Sequence, residues 1–347
     1  MKTVSVYSLV HAIVDFSCAF VMSSVITRIY NIDYVLWGAI LYNFLAFALQ
    51  LPIGCFADKW NKNRHASIIG CALISVGVVL ALFAGGLFVF IPIICVGLGN
   101  AFFHIGGGID ILNISKGKAA LPGIYVSTGA LGLFLGGYLP FNFLTFIFVF
   151  SLLMISIILL LYLDAFEPLP NNSLFSIKRS DRNKNWILLL MFSAVCLRSF
   201  TGFAVGFDWK NGFWIGLLST IVVVLGKMLG GIIGDKFGWS KVSNISLIIA
   251  SILFIFAPTN MYCGLLGLLL FNMTMPLTLT ALANTFPNSK GTAFGLTTLA
   301  LFVGYVIEMV VSPIIDKLNG GLVLFICGIL SLLVMYLGLK YYRKKGV

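Results

Sequence analysis

The chain has 347 residues, of which 60% are hydrophobic and only 10% are charged, and its formal net charge is +11 at pH 7. A soluble domain carries about 25% charged residues, so this composition excludes an ordinary soluble enzyme or binding module. Excess positive charge is also typical of nucleic-acid-binding proteins. Here, however, the bases punctuate apolar runs instead of covering one polar face, so we expect no nucleic-acid partner.

Twelve apolar runs are long enough, at about 20 residues, to cross the hydrocarbon core of a bilayer. We number them as segments 1 to 12, and they lie at 4–27, 33–52, 66–85, 88–109, 121–140, 142–163, 186–206, 212–233, 242–258, 260–283, 291–315 and 320–341. Backbone polar groups in lipid need internal partners, so each run is predicted to be a helix. The sequence therefore predicts an all-α integral membrane protein with about twelve transmembrane helices.

A polar stretch between segments 6 and 7 divides the chain into two halves. We predict a six-helix bundle over 1–164, a cytoplasmic linker over 165–185, and a second six-helix bundle over 186–347. With both termini in the cytoplasm, about 17 Lys and Arg residues fall on the inner side and 3 on the outer side, which is a strong bias by the positive-inside rule. This indicates a multi-pass protein of a bacterial plasma membrane.

One charged loop occurs twice, once between two spans of each half. Residues 54–64 and 231–241 share a glycine, an aspartate four residues later, a lysine, an aromatic residue and a trailing base. The equivalent residues are Gly54 and Gly231, Asp58 and Asp235, and the bases Arg64 and Lys241. An ordinary positively charged loop does not explain the same spacing twice, so the repeat indicates two related halves with pseudo-symmetry.

The loop pattern Gly-x-x-x-Asp-Lys-aromatic resembles the signature loop between helices 2 and 3 of the major facilitator superfamily, with its weaker copy between helices 8 and 9. The resemblance covers the whole chain. In that family the aspartate caps a neighbouring helix and pairs with bases, which locks the outward-facing state. The resemblance therefore implies a gating role for both loops, carried by Gly54, Asp58, Arg64, Gly231, Asp235 and Lys241.

Segments 5 and 11 share a second internal match. Gly123 and Gly132 in segment 5 have the same spacing as Gly295 and Gly304 in segment 11, and Glu308 stands where Gly136 falls. The glycines of segment 5 are similar to the glycine motif of exporters in the superfamily, although the sequence after Gly136 departs from it. Close helix packing is the alternative interpretation.

Ionisable side chains inside spans cost several kcal/mol when they are unpaired, so by default they face a cavity or one another. The sequence offers six of them: His11, Asp15, His104, Arg198, Lys227 and Glu308. Helices 1, 4, 7 and 10 line the central cavity of the superfamily, which implies that the first four share one pore. The alternatives are an Asp15–Arg198 structural bridge, packed histidines, and a Lys227 that only snorkels to the interface.

Three motifs resemble the fosmidomycin-resistance group of drug exporters more weakly. They are His-x-x-x-Asp in segment 1, Gly-x-x-x-Phe-His in segment 4, and the Arg198–Ser199 pair in segment 7. In that group the segment 4 motif continues His-Pro-Glu, whereas here the sequence is His104-Ile105-Gly106.

We therefore predict a secondary active transporter that works by alternating access and exports a small organic compound against protons. Asp15 and His11 are the expected proton carriers, with Glu308 as a further proton site. Substrate contacts are expected from polar and aromatic side chains of segments 4, 7 and 10, namely Arg198, His104, Asn100, Asn272 and Phe103.

Two alternatives stay open. One is proton-coupled uptake of a small anion or metabolite with Arg198 as the anion ligand, and the other is a sensor or scaffold with a transporter-like fold. No nucleotide loop, zinc motif or catalytic triad is present, so we expect no enzyme activity, cofactor or metal. The expected partners are a small-molecule substrate, protons and the lipid bilayer, and the protein is expected to be a monomer.

Overall fold

The computed structural model describes residues 2–26, 32–163 and 182–344, and it consists of helices and short connections throughout these ranges. The first half contains α1 (Lys2–Ile26), α2 (Ile32–Asn43), a π-helical turn (Phe44–Ala48), α3 (Gln50–Trp60), α4 (Asn63–Leu82), a 3₁₀ turn (Gly86–Val89), α5 (Phe90–Ile114), α6 (Ala120–Gly137) and α7 (Phe143–Leu161). The second half contains α8 (Arg182–Ala204), α9 (Phe213–Phe237), α10 (Trp239–Phe254), α11 (Met261–Asn272), α12 (Met275–Thr285), α13 (Lys290–Ile315) and α14 (Gly320–Lys344).

The predicted all-α membrane architecture is confirmed. Eleven helical stretches in the described ranges are long and apolar enough to cross a membrane, and the remaining predicted span, segment 9, is the 16-residue helix α10. Segment 2 is built from α2, the π-helical turn and α3, and segment 10 from α11 and α12. Large apolar side chains such as Trp214 and Leu144, exposed by 78% and 77%, point away from the bundle as lipid-facing residues do.

The predicted linker lies mostly outside the described residues, which resume at 182. Helix α8 begins at Arg182, so the last four residues of the predicted linker, 182–185, are helical. The domain boundaries proposed from the sequence otherwise stay a prediction.

Glycines set the helix packing inside each half. A Cβ atom on Gly132 of α6 would collide with the Ala12 carbonyl of α1, and a Cβ atom on Gly304 of α13 would collide with the Cys196 carbonyl of α8. The two contacts are equivalent, so α1 corresponds to α8 and α6 to α13. Small residues let helix backbones approach closely in lipid, which is the packing interpretation of the glycine spacing.

Two further glycines join the halves to each other. A Cβ atom on Gly123 of α6 would meet the Lys227 carbonyl of α9, and one on Gly295 of α13 would meet the Gln50 carbonyl of α3. Each half therefore presents one helix to its counterpart in the same way. This seam is therefore pseudo-symmetric.

Candidate functional site

Four polar side chains from α1 and α5 meet inside the first bundle. His11 and Asp15 lie one turn apart on α1, and Nε2 of His11 is 3.2 Å from Oδ2 of Asp15. From α5, Asn100 donates from Nδ2 to Oδ1 of Asp15 over 2.9 Å, and Nε2 of His104 lies 3.7 Å from the same oxygen. His11, Asp15 and Asn100 are each at most 6% exposed, so an ionised carboxylate here depends on these partners.

Helix α6 completes the cluster from the third side. The Tyr125 carbonyl lies 2.7 Å from Nδ1 of His11. One turn later stands Gly129, where a Cβ atom would overlap the carboxylate of Asp15 and the ring of His11. The absence of a side chain at Gly129 therefore makes room for the cluster.

Hydrogen-bond geometry assigns the protons of the two histidines. Nδ1 of His11 faces the Tyr125 carbonyl, and Nδ1 of His104 faces the Asn100 carbonyl at 2.9 Å. Carbonyl oxygens only accept, so both Nδ1 atoms carry hydrogen. The two Nε2 atoms lie 2.8 Å apart, a distance at which two lone pairs repel and one shared proton forms a hydrogen bond. One proton shared between the two Nε2 atoms would satisfy this contact and would give the pair a positive charge beside Asp15.

The same three ionisable groups have ligand atoms within 4.8 Å of one another, as a metal site requires. Two imidazole nitrogens bound to one tetrahedral zinc ion at about 2.0–2.1 Å would lie about 3.3 Å apart. The 2.8 Å separation of the His11 and His104 nitrogens is shorter than this. A shared proton fits the distance better than a metal ion does.

The second bundle contributes two bases, Arg198 and Lys227, that form no ion pair with a carboxylate among the described residues. Nη1 of Arg198 on α8 is buried and has no hydrogen-bond partner, and Lys227 on α9 lies within electrostatic range of both Arg198 and Asp15. Among the described residues, no ion pair links either base to a carboxylate, so the Asp15–Arg198 bridge that the sequence left open is not formed. Arg198 and Lys227 give this region two formal positive charges against the one negative charge of Asp15.

Lys227 differs from the snorkelling residue that the sequence favoured. Its Nζ atom is directed across the seam to the Val126 carbonyl of α6, at 3.5 Å. The close approach of α9 to Gly123 explains this, because it brings the α6 backbone within reach of the lysine.

Three other predicted site residues make no hydrogen bond to the cluster in the described structure. The Phe103 side chain is fully buried and packs against Gly70 of α4. Its ring centroid lies 6.1 Å from that of His11, so in this conformation Phe103 packs against the histidine ring. Asn272 bonds back to the Leu268 carbonyl of its own helix α11 over 2.9 Å. Glu308 lies half-buried on α13 of the other bundle, and none of the described polar contacts joins it to Asp15.

A buried carboxylate was missed by the sequence analysis. Asp110 on α5 is 5% exposed, accepts from the Tyr7 hydroxyl over 2.7 Å, and accepts from Nδ2 of Asn63 over 2.8 Å. The predicted segment 4 ended at residue 109, one position earlier, so Asp110 was counted as part of a loop. A signal was available in α1, where Tyr7, His11 and Asp15 recur every four residues on one face. Polar side chains on such a face need polar partners, and Tyr7 finds its partner in Asp110.

The repeated loops form reciprocal caps between the halves. Asp58 at the end of α3 accepts from the amides of Gly291 and Thr292, at 2.7 and 2.8 Å, and from the Thr292 hydroxyl at 2.7 Å, at the start of α13. Asp235 at the end of α9 accepts from the amides of Ala119 and Ala120, at 2.9 and 2.8 Å, at the start of α6. Each carboxylate therefore satisfies the orphan amides and the positive dipole end of a helix in the opposite half.

The loop glycines lie at the capped contacts, whereas the predicted loop bases lie elsewhere. A Cβ atom on Gly54 would collide with the Gly291 carbonyl, and one on Gly231 with the Ala119 carbonyl, so both glycines permit the capped contact. The predicted partner bases lie elsewhere: Arg64 donates to the Leu163 carbonyl, and Lys241 lines a surface cavity. The caps rest on backbone amides because two helix starts, not side-chain bases, lie closest to the carboxylates.

Two solved structures of FucP resemble this chain over nearly its full length. One is the E. coli fucose:proton symporter FucP, with a TM-score of 0.68 and 10% identity over 99% of this chain and 98% of that chain. The other is FucP in the outward conformation, described as a major facilitator superfamily transporter, with a TM-score of 0.66 and 12% identity over 98% of this chain and 99% of that chain. No protein-family model and no curated protein matches the sequence. The chain thus has the fold of the major facilitator superfamily.

Proposed function

We propose that the protein is a secondary active transporter that couples protons to the movement of a small organic anion by alternating access. The observation that carries the proposal is the contact between the Nε2 atoms of His11 and His104 beside Asp15, together with two buried bases that form no ion pair with a carboxylate among the described residues. The fold supports the transporter class, since the solved structures that resemble this chain are transporters.

Proton coupling is supported by the contact of two histidines with one carboxylate inside the cluster. His11, His104 and Asp15 together hold one exchangeable proton inside the bundle, and no other described carboxylate contacts them. A proton that crosses a membrane potential of 100 mV supplies about 2.3 kcal/mol, which is enough to bias two states of the transporter appreciably. Proton release to either side would leave Asp15 uncompensated and favour the opposite conformation.

The excess positive charge favours an anionic substrate over a neutral one. An unpaired cation at membrane depth costs several kcal/mol, and a bound anion between Arg198 and Lys227 would remove that cost. Arg198 is the better anchor because its planar guanidinium binds carboxylate and phosphate groups in a bidentate manner. This observation favours the anion hypothesis, and both uptake with protons and export against them remain directions to be measured.

The reciprocal caps support a gating role for the repeated loops. Asp58 and Asp235 tie together the ends of helices from opposite halves, so these bonds exist only while the halves are closed at this end. We call this end the inner face, since the positive-inside rule predicts that it is cytoplasmic. Opening of the inner face requires both caps to break.

The test uses the full chain in proteoliposomes with a pH-sensitive dye inside. Small carboxylates, sugar phosphates, amino acids and neutral sugars are added one at a time, and the dye reports proton movement that depends on the added compound. We expect a response to one or more anions and none to neutral sugars. The absence of any compound-dependent proton flux or labelled uptake in either direction would contradict the transporter proposal and favour a sensor or scaffold.

Two variants test the assigned roles once a transported compound is found. Asp15→Asn should abolish accumulation on a pH gradient while exchange at equal pH survives, whereas Arg198→Gln should weaken binding of the anion at least tenfold. Asp208→Asn and Lys210→Gln are the matched controls, because both side chains are exposed at the other end of α8. If Asp15→Asn still concentrates the compound, Asp15 is structural and Glu308 becomes the next candidate for the proton site.

A further inference from the structure

A large cavity opens at the inner face, away from the central cluster. Its volume is about 960 Å³, and it lies between the turn at Lys116–Gly117 of the first half and the start of α10 in the second half. The ends of α12 and α14 close its far side, where Asn284 bonds both to the Gly117 carbonyl and to the Tyr342 hydroxyl at 2.9 Å. The cavity therefore spans the two halves at the end that the caps hold closed.

The wall of this cavity is strongly cationic. Lys116, Lys241, Lys290 and Arg343 line it, and no acidic residue is among the described residues of its wall. Lys290 bonds to a carbonyl and a side-chain amide, which are both neutral acceptors. The aspartate at this seam, Asp235, already accepts from two amides and from the Trp239 indole, so its oxygens are directed at these donors.

The start of α10 adds backbone donors to these cations. Gly238, Trp239, Ser240 and Lys241 all line the cavity, and Gly238 precedes the helix with no side-chain cap. Amides in the first turn of a helix have no acceptor within the helix, and together with the helix dipole they favour an anion. At the same face, the starts of α6 and α13 are capped by Asp235 and Asp58. The start of α10 instead lines a cavity that has four cationic side chains in its wall.

An aromatic wall stands beside the cations. The rings of Trp239 and Tyr342 stack with centroids 5.4 Å apart at 18°, and Phe237 and Leu339 extend the apolar surface. Several Lys and Arg side chains around helix amides form the donor set that phosphate groups prefer, and an apolar flank suits the carbon skeleton attached to the phosphate.

We propose that this cavity binds a phosphate-bearing anion, either the headgroup of an anionic phospholipid or a soluble phosphorylated compound. Such a ligand contacts Lys116 of one half and Lys241 and Arg343 of the other. It therefore stabilises the state in which the inner face is closed and slows the transport cycle without touching the central site.

The test measures the thermal unfolding midpoint of the purified full chain in a neutral detergent. One series is titrated with inorganic phosphate and glycerol 3-phosphate, and a second with phosphatidylglycerol against phosphatidylcholine. We expect a saturable rise of several degrees with at least one phosphate-bearing anion and none with phosphatidylcholine. A response to the lipid alone identifies a headgroup site, and a response to the soluble compounds identifies a metabolite site.

The variant Lys116→Gln/Lys241→Gln/Arg343→Gln should weaken this response at least tenfold. All three side chains are exposed, so the variant is expected to fold. The matched control is Lys236→Gln, because Lys236 is exposed next to the cavity, lies over the Phe237 ring, and is absent from the cavity wall. The proposal is overturned if no probe gives a saturable response, or if the triple variant and the control respond equally. Phospholipid retained by wild type and triple variant, counted by native mass spectrometry, provides a second measure.

Discussion

Removal of one reciprocal cap should shift the protein towards the state that is open at the inner face. Asp58→Ala deletes three hydrogen bonds of 2.7, 2.8 and 2.7 Å, two of them to the first amides of α13. Loss of a helix cap costs about 0.5–2 kcal/mol, and the charge of Asp58 and its partial burial place the cost near the upper limit. The closed state should lose about 2 kcal/mol relative to the open state, which is roughly a 30-fold change in the equilibrium between them.

A native cysteine reports this change. Cys55 on α3 lies at the same seam, and its sulfur accepts from the Thr292 hydroxyl at 3.4 Å. Maleimide labelling of Cys55, followed by mass spectrometry of its peptide, should accelerate up to about 30-fold in Asp58→Ala, as the equilibrium constant predicts. The buried residues Cys18 and Cys71 serve as internal controls because they lie inside the first bundle.

The double variant sharpens the test. Asp58 and Asp235 share no hydrogen-bond partner, so their effects on the equilibrium should add to about 4 kcal/mol. Asp58→Asn keeps one acceptor oxygen and should give an intermediate effect, with a slower transport cycle. Asp208→Ala, an exposed carboxylate at the other end, is the control. Labelling of Cys55 within twofold of wild type in both Asp58→Ala and the double variant would refute the gate.

Three further predictions concern the first bundle. Gly132→Ala should lower the thermal unfolding midpoint because its Cβ would collide with the α1 backbone, whereas Gly137→Ala, with open space around it, should leave the midpoint unchanged. Asn100→Ala removes the 2.9 Å bond to the central carboxylate and should reduce proton-driven accumulation several-fold in proteoliposomes; an unchanged accumulation ratio would contradict its positioning role. We also infer that Asp110 relays protons to the inner side, because its partner Tyr7 lies one turn before His11 on α1; Asp110→Asn should then slow proton exchange with the inner side more than Tyr7→Phe does, since Tyr7 supplies only one of its two bonds, and equal dye responses in both variants and wild type would contradict this role.

The sequence predicted the spans well because they depend on local spacing. Hydropathy over about 20 residues fixes where a helix can cross a bilayer, and a four-residue interval places His11 and Asp15 on one helix face. The resemblance, which supplies the arrangement of helices that spacing alone lacks, placed His104 in the same pore, but the bond from Asn100 to Asp15 was not predicted.

The remaining features depend on contacts between distant parts of the chain. Asp58 caps the start of α13 at Gly291, which lies 233 residues further along the chain. No local sequence pattern indicates this pairing. The direction of Lys227 likewise follows from the packing of α6 on α9, not from its depth in a helix. Asp110 was lost for a simpler reason, since hydropathy locates the end of an apolar run and a helix can continue beyond it.

Because of the reciprocal caps, hydrogen exchange at four backbone amides should report whether the inner face is open or closed. The amides of Gly291, Thr292, Ala119 and Ala120 are protected from hydrogen exchange by Asp58 and Asp235 only while the inner face is closed. Because one rigid-body separation of the halves breaks both caps, the two pairs should share one opening equilibrium. Deuterium uptake at these sites would therefore report the fraction of open protein in an unlabelled wild-type chain, and a bound substrate would change both pairs together.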